Sequence, residues 1–262
     1  MIIVLKKKNG DWYKNIWSLD SKNDSWVENT ETEVDFIVKT LELTGKERIL
    51  DLACGFGRHS LLFAGRGFSV VGVDITEAFI NDARSSAKRE SLTAEFIHVD
   101  IRDISFVNEF DVVINMGDGA IGYLENDAEN LKVFDKIADA LKPGGKHFMA
   151  IRNAEFAEHC CPRREWEIGE NAMAIALLEW DKETRTMLYA GWSFPYGKPA
   201  VKPVFTEGDP CRLYSKTELH GIMSQRSMKI INTFSDFTGK EDSYMELSLL
   251  VYSKKEKKYG HS

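Results

Sequence analysis

The chain has 262 residues, of which 43% are hydrophobic and 29% charged, a composition that suits one substantial core with a small cap. Its formal net charge of −7 gives no overall attraction to nucleic acid or to an anionic membrane. No apolar run reaches membrane-spanning length, and the apolar patch in the opening "MIIVLKKK" is too short for a signal peptide. The four cysteines show no CxxC spacing, so we expect a cytoplasmic protein without disulfides.

The first 46 residues are predicted to form a helical arm. Thr30 and Glu33 have the spacing of a capping box, and apolar residues then recur along one helical face. Four aromatic residues of the arm are open to two interpretations, a lid over a ligand or ordinary core packing: Trp12, Tyr13, Trp17 and Trp26.

Strands and helices then alternate. Strands are predicted at 48–52, 68–73, 95–99, 110–115 and 147–151, with helices starting at Arg58 and covering 76–86 and 126–141. The segment "KPGG" at 142–145 stops the last of these helices. This alternation predicts a parallel sheet with helices on both faces.

The pattern changes after residue 153. Segments 173–180 and 187–194 flank the turn "DKETRT" and predict a hairpin, while Ser215 and Glu218 predict a second capping box. Strands at 228–234 and 245–252 follow, and the tail "KKEKKYGHS" is expected to be solvated. We therefore expect an arm at 1–46, a ligand-binding domain at 47–153 and 211–253, and an inserted β cap at 154–210.

The segment "ILDLACGFGRHS" places Asp51 at a strand end, with Gly55 and Gly57 in the turn that follows. Ligands of open parallel sheets bind at this edge, where glycine lets the backbone approach them. The next two strands end in Asp74, which suits the hydroxyls of a ribose, and Asp100, which suits an exocyclic amine. Together these residues predict an adenosine ligand.

Two features favour S-adenosylmethionine over a dinucleotide. Ser60 stands where the third glycine of a dinucleotide fingerprint belongs. In addition, Asp51 would repel a pyrophosphate but suits the ammonium and sulfonium groups of S-adenosylmethionine.

The motifs resemble, in order, those of class I (Rossmann-like) S-adenosylmethionine-dependent methyltransferases: "ILDLACGFGRHS", "VVGVDIT", "HVDIRD", "FDVVINMGDGAIGYL" and "ALKPGG". The likeness covers about residues 30–151, and "CRLYSKTEL" with the final hairpin resembles the subgroup that acts on small molecules. It implies an α/β fold, a doubly wound, mostly parallel seven-stranded sheet with an antiparallel last strand. It also implies a cofactor site made of Asp51, Ala53, Gly55, Gly57, Arg58, Asp74, Ile75, Asp100, Ile101 and Met116.

Within that site, the resemblance implies that Asp51 and the 53–57 backbone bind the methionine end of the cofactor. It also implies that Asp74 binds the ribose and that Asp100 and Ile101 bind the adenine. Met116 then lies along the cofactor. Cys54 stands where the family more often has glycine, a departure expected to alter loop flexibility more than chemistry. Arg58 and His59 are expected either to contact the cofactor carboxylate or to face solvent.

An acceptor amine must arrive unprotonated and a hydroxyl must lose its proton, so a general base near the strand ends would help methyl transfer. The candidates are Asp118, Tyr123, His159 and Tyr214, with Tyr196 and Glu207 as pocket walls. Asp118 and His159 rank first because a carboxylate or an imidazole takes a proton near neutral pH. Asp118 is equally suited to a turn, and Tyr214 to packing.

The sequence does not favour a metal site or a DNA methyltransferase. The "HCC" at 159–161 has no second cluster to complete a zinc site, so no metal is expected. Neither the NPPY-type nor the Pro-Cys signature of DNA methyltransferases is present. The sequence therefore predicts methyl transfer to nitrogen or oxygen of a small molecule. The alternatives are an RNA methyltransferase and a cofactor-binding protein without transfer activity.

Overall fold

Twelve strands and six α-helices make up the described part of the computed structural model, residues 5–257. The strands are β1 Lys6–Lys7, β2 Arg48–Leu52, β3 Ser69–Asp74, β4 Ala94–His98, β5 Phe110–Asn115, β6 Leu141–Arg152, β7 Arg163–Ile168, β8 Ala172–Asp181, β9 Thr186–Pro195, β10 Glu207–Arg212, β11 Met228–Phe234 and β12 Ser248–Lys255. The helices are α1 Thr30–Thr40, α2 Arg58–Gly65, α3 Glu77–Arg89, α4 Asp127–Ala140, α5 Ala154–Cys160 and α6 Lys216–Ser224.

The larger sheet has seven strands in the order β11-β12-β6-β5-β2-β3-β4. Strand β12 is antiparallel to both of its neighbours, and the pairings from β6 to β4 are all parallel. This arrangement confirms the predicted fold class, including the antiparallel last strand.

Helices cover both faces of this sheet because its central strands are apolar on both sides. Leu50 packs in a cluster with residues of α4 and α6, while the adjacent Ile49 packs against α1 and α2 on the opposite face. Successive side chains of a strand point to opposite faces, so a continuous apolar strand needs two covering layers.

A smaller, five-stranded sheet has the order β1-β10-β9-β8-β7. The predicted hairpin is confirmed as β8 and β9, joined through 182–185. All pairings in this sheet are antiparallel except that of β1, which comes from the arm and runs parallel to β10. The division of the chain into arm, domain and inserted cap stays a prediction.

Several local expectations need correction. Segment 142–145 lies inside β6 rather than before it, and β12 begins at Ser248 rather than at residue 245. Lys254 and Lys255, assigned to a solvated tail, belong to β12, whereas residues 1–4 and 258–262 lie outside the described part. None of the helices described is long and apolar enough to cross a membrane.

The two predicted capping boxes have opposite outcomes. At α6, the Ser215 hydroxyl accepts from the Glu218 backbone and the Glu218 carboxylate accepts from the Ser215 backbone, which confirms the box. At α1 the prediction is wrong, because Asn29 is the N-cap residue and Thr30 donates its hydroxyl proton to the Val27 carbonyl.

Candidate active site

A cavity of about 450 Å³ opens at the carboxyl ends of β2, β3, β5 and β6. Four groups of residues form most of its walls: the turn after β2, the loop after β5, the ends of β3 and β6, and residues of β12 with the segment before it. The arm closes it with aromatic side chains, Tyr13, Trp17 and Trp26. The volume lies in the range of small-molecule sites, and the position is that of ligand sites in open α/β sheets.

The turn after β2 owes its shape to left-handed backbone conformations at Ala53, Gly55 and Gly57, with φ of +57°, +57° and +80°. A Cβ on Gly57 would lie 2.9 Å from the Phe96 ring and 3.1 Å from the Ala83 Cβ. A Cβ on Gly55 would come no closer than 3.8 Å to a side chain, that of Phe79. Gly57 is therefore needed for packing as well as for its φ, whereas Gly55 is needed for its φ and leaves open space beside the cavity.

Cys54 packs in a buried cluster with Phe96 and residues of α3. A Cβ on Gly72 would come within 2.9 Å of its Sγ, so the glycine in β3 makes room for the thiol. Burial raises the pKa of the Cys54 thiol well above its ordinary value. Cys54 therefore fills space between the turn and β3.

Asp74 ties the turn to the end of β3. Its carboxylate accepts hydrogen bonds from the Gly55 amide at 2.9 Å and the Thr76 amide at 2.7 Å. Burial raises the pKa of Asp74 above its ordinary value. The Gly55 amide bonds Oδ2 and the Thr76 amide bonds Oδ1, so the carboxylate keeps acceptor capacity for a further donor.

Asp51 is a buried carboxyl group without an ion-pair partner in the described residues. The Ser60 hydroxyl donates to it at 2.6 Å, and burial raises the pKa of Asp51 to about 7. A cation placed in the cavity beside Asp51 would stabilise the ionised carboxylate and lower this pKa.

Arg58 lies in the cavity wall, with 12% of its side chain exposed, and does not face solvent. It contacts Glu33 at 2.7 Å, donates to the Thr30 hydroxyl at 2.8 Å, and lies over the Trp26 ring at 5.1 Å. The same Glu33 carboxylate lies 2.6 Å from Nε2 of His59. Burial lowers the pKa of His59 to about 4, so this imidazole is neutral at pH 7.

Sequence reasoning missed Glu33, because it assigned that residue to a capping box. The available signal was its spacing, since Glu33 lies four residues before the fully buried Ile37 and shares its helical face.

On the opposite wall, Asp118 lies in a loop where four successive residues, 117–120, have positive φ. Its Oδ2 accepts from the Tyr123 hydroxyl at 2.8 Å and lies 3.3 Å from Nε of Arg152. Burial, with the nearby Asp118 charge, raises the pKa of Tyr123 well above its ordinary value, so the phenol stays protonated. Asp118 is thus both a turn residue and part of the cavity wall.

Arg152, at the end of β6, was also missed. Its guanidinium lies over the Tyr189 ring at 4.8 Å, and its terminal nitrogens donate no hydrogen bond to the described part of the chain. The signal for it was an arginine directly after an apolar strand, at the edge of the sheet where the other site residues were predicted.

Other predicted residues lie off the cavity wall. The Asp100 carboxylate is held by three hydrogen bonds from Arg102, and Ile101 packs in the core. Tyr214 is buried and donates to Asp127 at 2.7 Å. His159 is exposed, with Nδ1 2.8 Å from the Glu155 carbonyl.

The remaining predicted residues divide into two sets. Four do not line the cavity: Gly57, Trp12, Tyr196 and Glu207. Three do line it: Ala53, Ile75 and Met116. The roles assigned to all of these residues stay predictions.

In residues 5–257, no three His, Cys, Asp or Glu side chains are grouped so that they could hold a metal ion. Cys160 and Cys161 are both free and partly buried at the end of α5. Within residues 5–257, the "HCC" segment therefore has no further side chains around it that could complete a metal site.

A family model described as a methyltransferase domain matches residues 49–145. These residues run from β2 into β6 and include the turn, Asp74, Asp100 and the loop with Asp118. Residues 49–145 thus match a methyltransferase domain, and the chain has the fold of class I S-adenosylmethionine-dependent methyltransferases. The arm, Arg152 and the five-stranded sheet lie outside the matched segment.

The chain is also similar in sequence to known methyltransferases. A putative methyltransferase of Geobacillus sp. (strain WCH70) is 27% identical over 151 residues, 56% of this chain and 58% of that protein. A glycine/sarcosine N-methyltransferase of Aphanothece halophytica is 29% identical over 131 residues, 49% of each chain. The chain thus spans about half the length of these curated relatives.

The fold likeness extends further than the sequence likeness. The crystal structure of an S-adenosylmethionine-dependent methyltransferase from Clostridium acetobutylicum superposes with a TM-score of 0.71 at 16% identity. The match covers 93% of this chain and 96% of that one, so the fold is shared well beyond the methyltransferase domain's sequence motifs.

Proposed function

We propose that this protein transfers a methyl group from S-adenosylmethionine to a nitrogen or oxygen atom of a small molecule. The observation that carries the proposal is that one cavity joins two sets of residues. Asp51, Gly55 and Asp74 form one side, and Asp118, Tyr123 and Arg152 form the other. The first set suits the cofactor, and the second set suits the acceptor.

The cofactor side fits S-adenosylmethionine on three counts. The uncompensated Asp51 carboxyl suits an ammonium group, the ordered Arg58 guanidinium suits a carboxylate, and Asp74 has lone pairs left for ribose hydroxyls. The cofactor supplies a methyl carbon that its sulfonium already activates. What the protein adds is alignment of the acceptor with that carbon and exclusion of water.

The acceptor side supports a carboxylated substrate. Arg152 presents a guanidinium whose terminal nitrogens are uncommitted, and such a fork binds a carboxylate through two parallel hydrogen bonds. A relative named glycine/sarcosine N-methyltransferase acts, by that name, on amino acids. We therefore infer that the acceptor carries a carboxylate within a few bonds of the methylated atom.

Asp118 is the proposed base. It lies between Arg152 and Tyr123, so an acceptor held by Arg152 brings its amine or hydroxyl close to this carboxylate. Tyr123 keeps its proton and stabilises the carboxylate's position by donating to it. His159 is exposed and bonded to its own helix, so it has no part in this proposal.

The direct test is methyl transfer from labelled S-adenosylmethionine to a panel of amino acids, the matching amines without a carboxylate, and bulk tRNA. We expect label in one or more amino acids. Label found only in tRNA would contradict the small-molecule proposal, and equal labelling of an amine and its amino acid would contradict the role of Arg152.

Variants then separate binding from chemistry. Arg152→Met should raise KM for the acceptor roughly tenfold or more, with cofactor affinity unchanged, because one charge-assisted pair is lost. Arg89→Met, on the exposed side of α3, is the matched control.

Asp118→Asn should lower kcat by about 10²–10⁴, the usual contribution of a general base, and His159→Gln should not. Near-native turnover of Asp118→Asn from pH 6 to 9 would contradict the role of Asp118 as a base and would mean that the protein catalyses transfer by positioning the acceptor.

A further inference from the structure

The five-stranded sheet has two faces with different surroundings. On its inner face, Leu178 and Met187 pack in a buried cluster with Phe156 and Tyr123. Residues directly opposite each other on paired strands share a face, so the cross-strand register identifies what lies on the outer one.

Two rows of apolar side chains cross the outer face. One row is Trp166, Ile175 and Trp192, and the other is Ile168, Met173 and Phe194. The residues contributed by β7 are the most open, with Trp166 69% and Ile168 67% exposed. A tryptophan and an isoleucine this exposed, side by side on an apolar sheet face, mark a surface that another chain can cover.

Strand β7 is also a free edge. Among the described residues it pairs only with β8. Soluble proteins protect such an edge with proline, a bulge or charged side chains, and of these devices "RREWEI" has only the charges; it contains no proline and pairs with β8 in unbroken register. Its two arginines and two glutamates sum to zero charge, so an identical strand is not repelled.

We propose that two copies of this chain dimerise by antiparallel pairing of their β7 strands about a two-fold axis at Glu165. In this register Arg163 lies opposite Glu167 of the second copy, and the symmetry makes this pair twice. Arg164 lies opposite Trp166 of the second copy, where a guanidinium covers an exposed indole. The five strands of each copy then form one continuous sheet.

Charge favours this register over its neighbour at Trp166. At the axis Glu165 meets its counterpart, but each Glu165 already forms an ion pair with Arg163 of its own chain. Moving the axis by one residue, to Trp166, would set Glu165 against Glu167 twice and would place Arg163 opposite Gly169, so both cross-chain ion pairs would be lost. Like charges directly opposite each other are destabilising, so the axis at Glu165 is preferred over the axis at Trp166.

The test is sedimentation velocity of the full chain at about 1–100 μM, a range suited to a small interface. We expect a reversible monomer–dimer equilibrium. Arg163→Glu and Glu167→Arg should each weaken the dimer by about ten- to a hundredfold, because two favourable pairs become two repulsive ones. The double variant Arg163→Glu/Glu167→Arg restores opposite charges and should regain the wild-type dissociation constant.

The result does not depend on the proposed function. Each variant's melting temperature, with and without S-adenosylhomocysteine, shows whether the fold and cavity are intact. A wild-type chain that stays monomeric over this range would overturn the proposal. So would a dimer that both single variants leave unchanged, or a double variant as weak as the singles.

Discussion

Among single residues, Asp74 offers the sharpest test of the cofactor site. Asp74→Ala should lower the affinity for S-adenosylhomocysteine at least a hundredfold, because two hydrogen bonds to a charged acceptor contribute about 1.5–3 kcal/mol each. Titration calorimetry measures the effect. Asp139→Ala, an exposed acid on α4, is the matched control and should bind normally. If the Asp74→Ala protein is folded and its affinity for S-adenosylhomocysteine is unchanged, Asp74 does not bind the ribose.

Asp51 should make cofactor binding depend on pH. Its pKa is about 7 in the free protein, and the cofactor's ammonium favours the ionised form. Below pH 7, binding must therefore expel a proton, and affinity should fall by up to about tenfold for each pH unit lowered; above pH 7 it should level off. Calorimetry from pH 5.5 to 8 would show this slope.

Asp51→Asn is the control for that experiment, because an amide has no proton to lose over this range. It should bind more weakly at pH 8 and show a flatter profile. An equally steep profile in Asp51→Asn would assign the titration to another group.

The sequence predicted the acids at the strand ends because they follow a periodic pattern of apolar strands. It could not show that Gly57 is needed for packing and Gly55 is not, because only the folded chain brings Phe96 and Ala83 against Gly57. Arg152 was missed for a related reason. Its partner Asp118 is 34 residues earlier in the chain, and no local motif links the two.

At the scale of elements, the capping box of α6 gives a stability prediction. Ser215→Ala should lower the free energy of unfolding by about 1 kcal/mol, because an N-cap hydroxyl satisfies an otherwise unpaired backbone amide. Urea denaturation measures it. Ser85→Ala, within α3 and exposed, should leave stability unchanged or slightly higher, since alanine favours helix interiors. Equal losses in both variants would contradict the cap.

Helices and central strands were predicted well because their hydrophobic periods are long and regular. The outer strands of the five-stranded sheet, β7, β10 and β1, were not. Four of the six residues of β7 are charged, β10 contains Pro210, and β1 has two residues that pair with a strand about 200 positions later. Partners so far away leave no signal in a local window.

For the whole molecule, ligand-induced stabilisation separates the cofactor from a dinucleotide. At a concentration 100 times its dissociation constant, S-adenosylhomocysteine should add about 2.7 kcal/mol and raise Tm by roughly 5–10 °C. NAD should give no shift, because its pyrophosphate would meet the buried Asp51 carboxyl. Scanning fluorimetry tests both ligands side by side, and a shift with NAD alone would contradict the cofactor assignment.

The place of β12 bears on how the chain folds during synthesis. Strand β11 leaves the ribosome before β12, yet within residues 5–257 its only neighbour in the seven-stranded sheet is β12, which lies between it and β6. Until residue 255 has emerged, one edge of the nascent sheet stays open at β6, and β11 lacks the strand that joins it to the sheet. The parallel half around the cofactor edge is therefore translated early, while closure of the opposite half waits for the last strand.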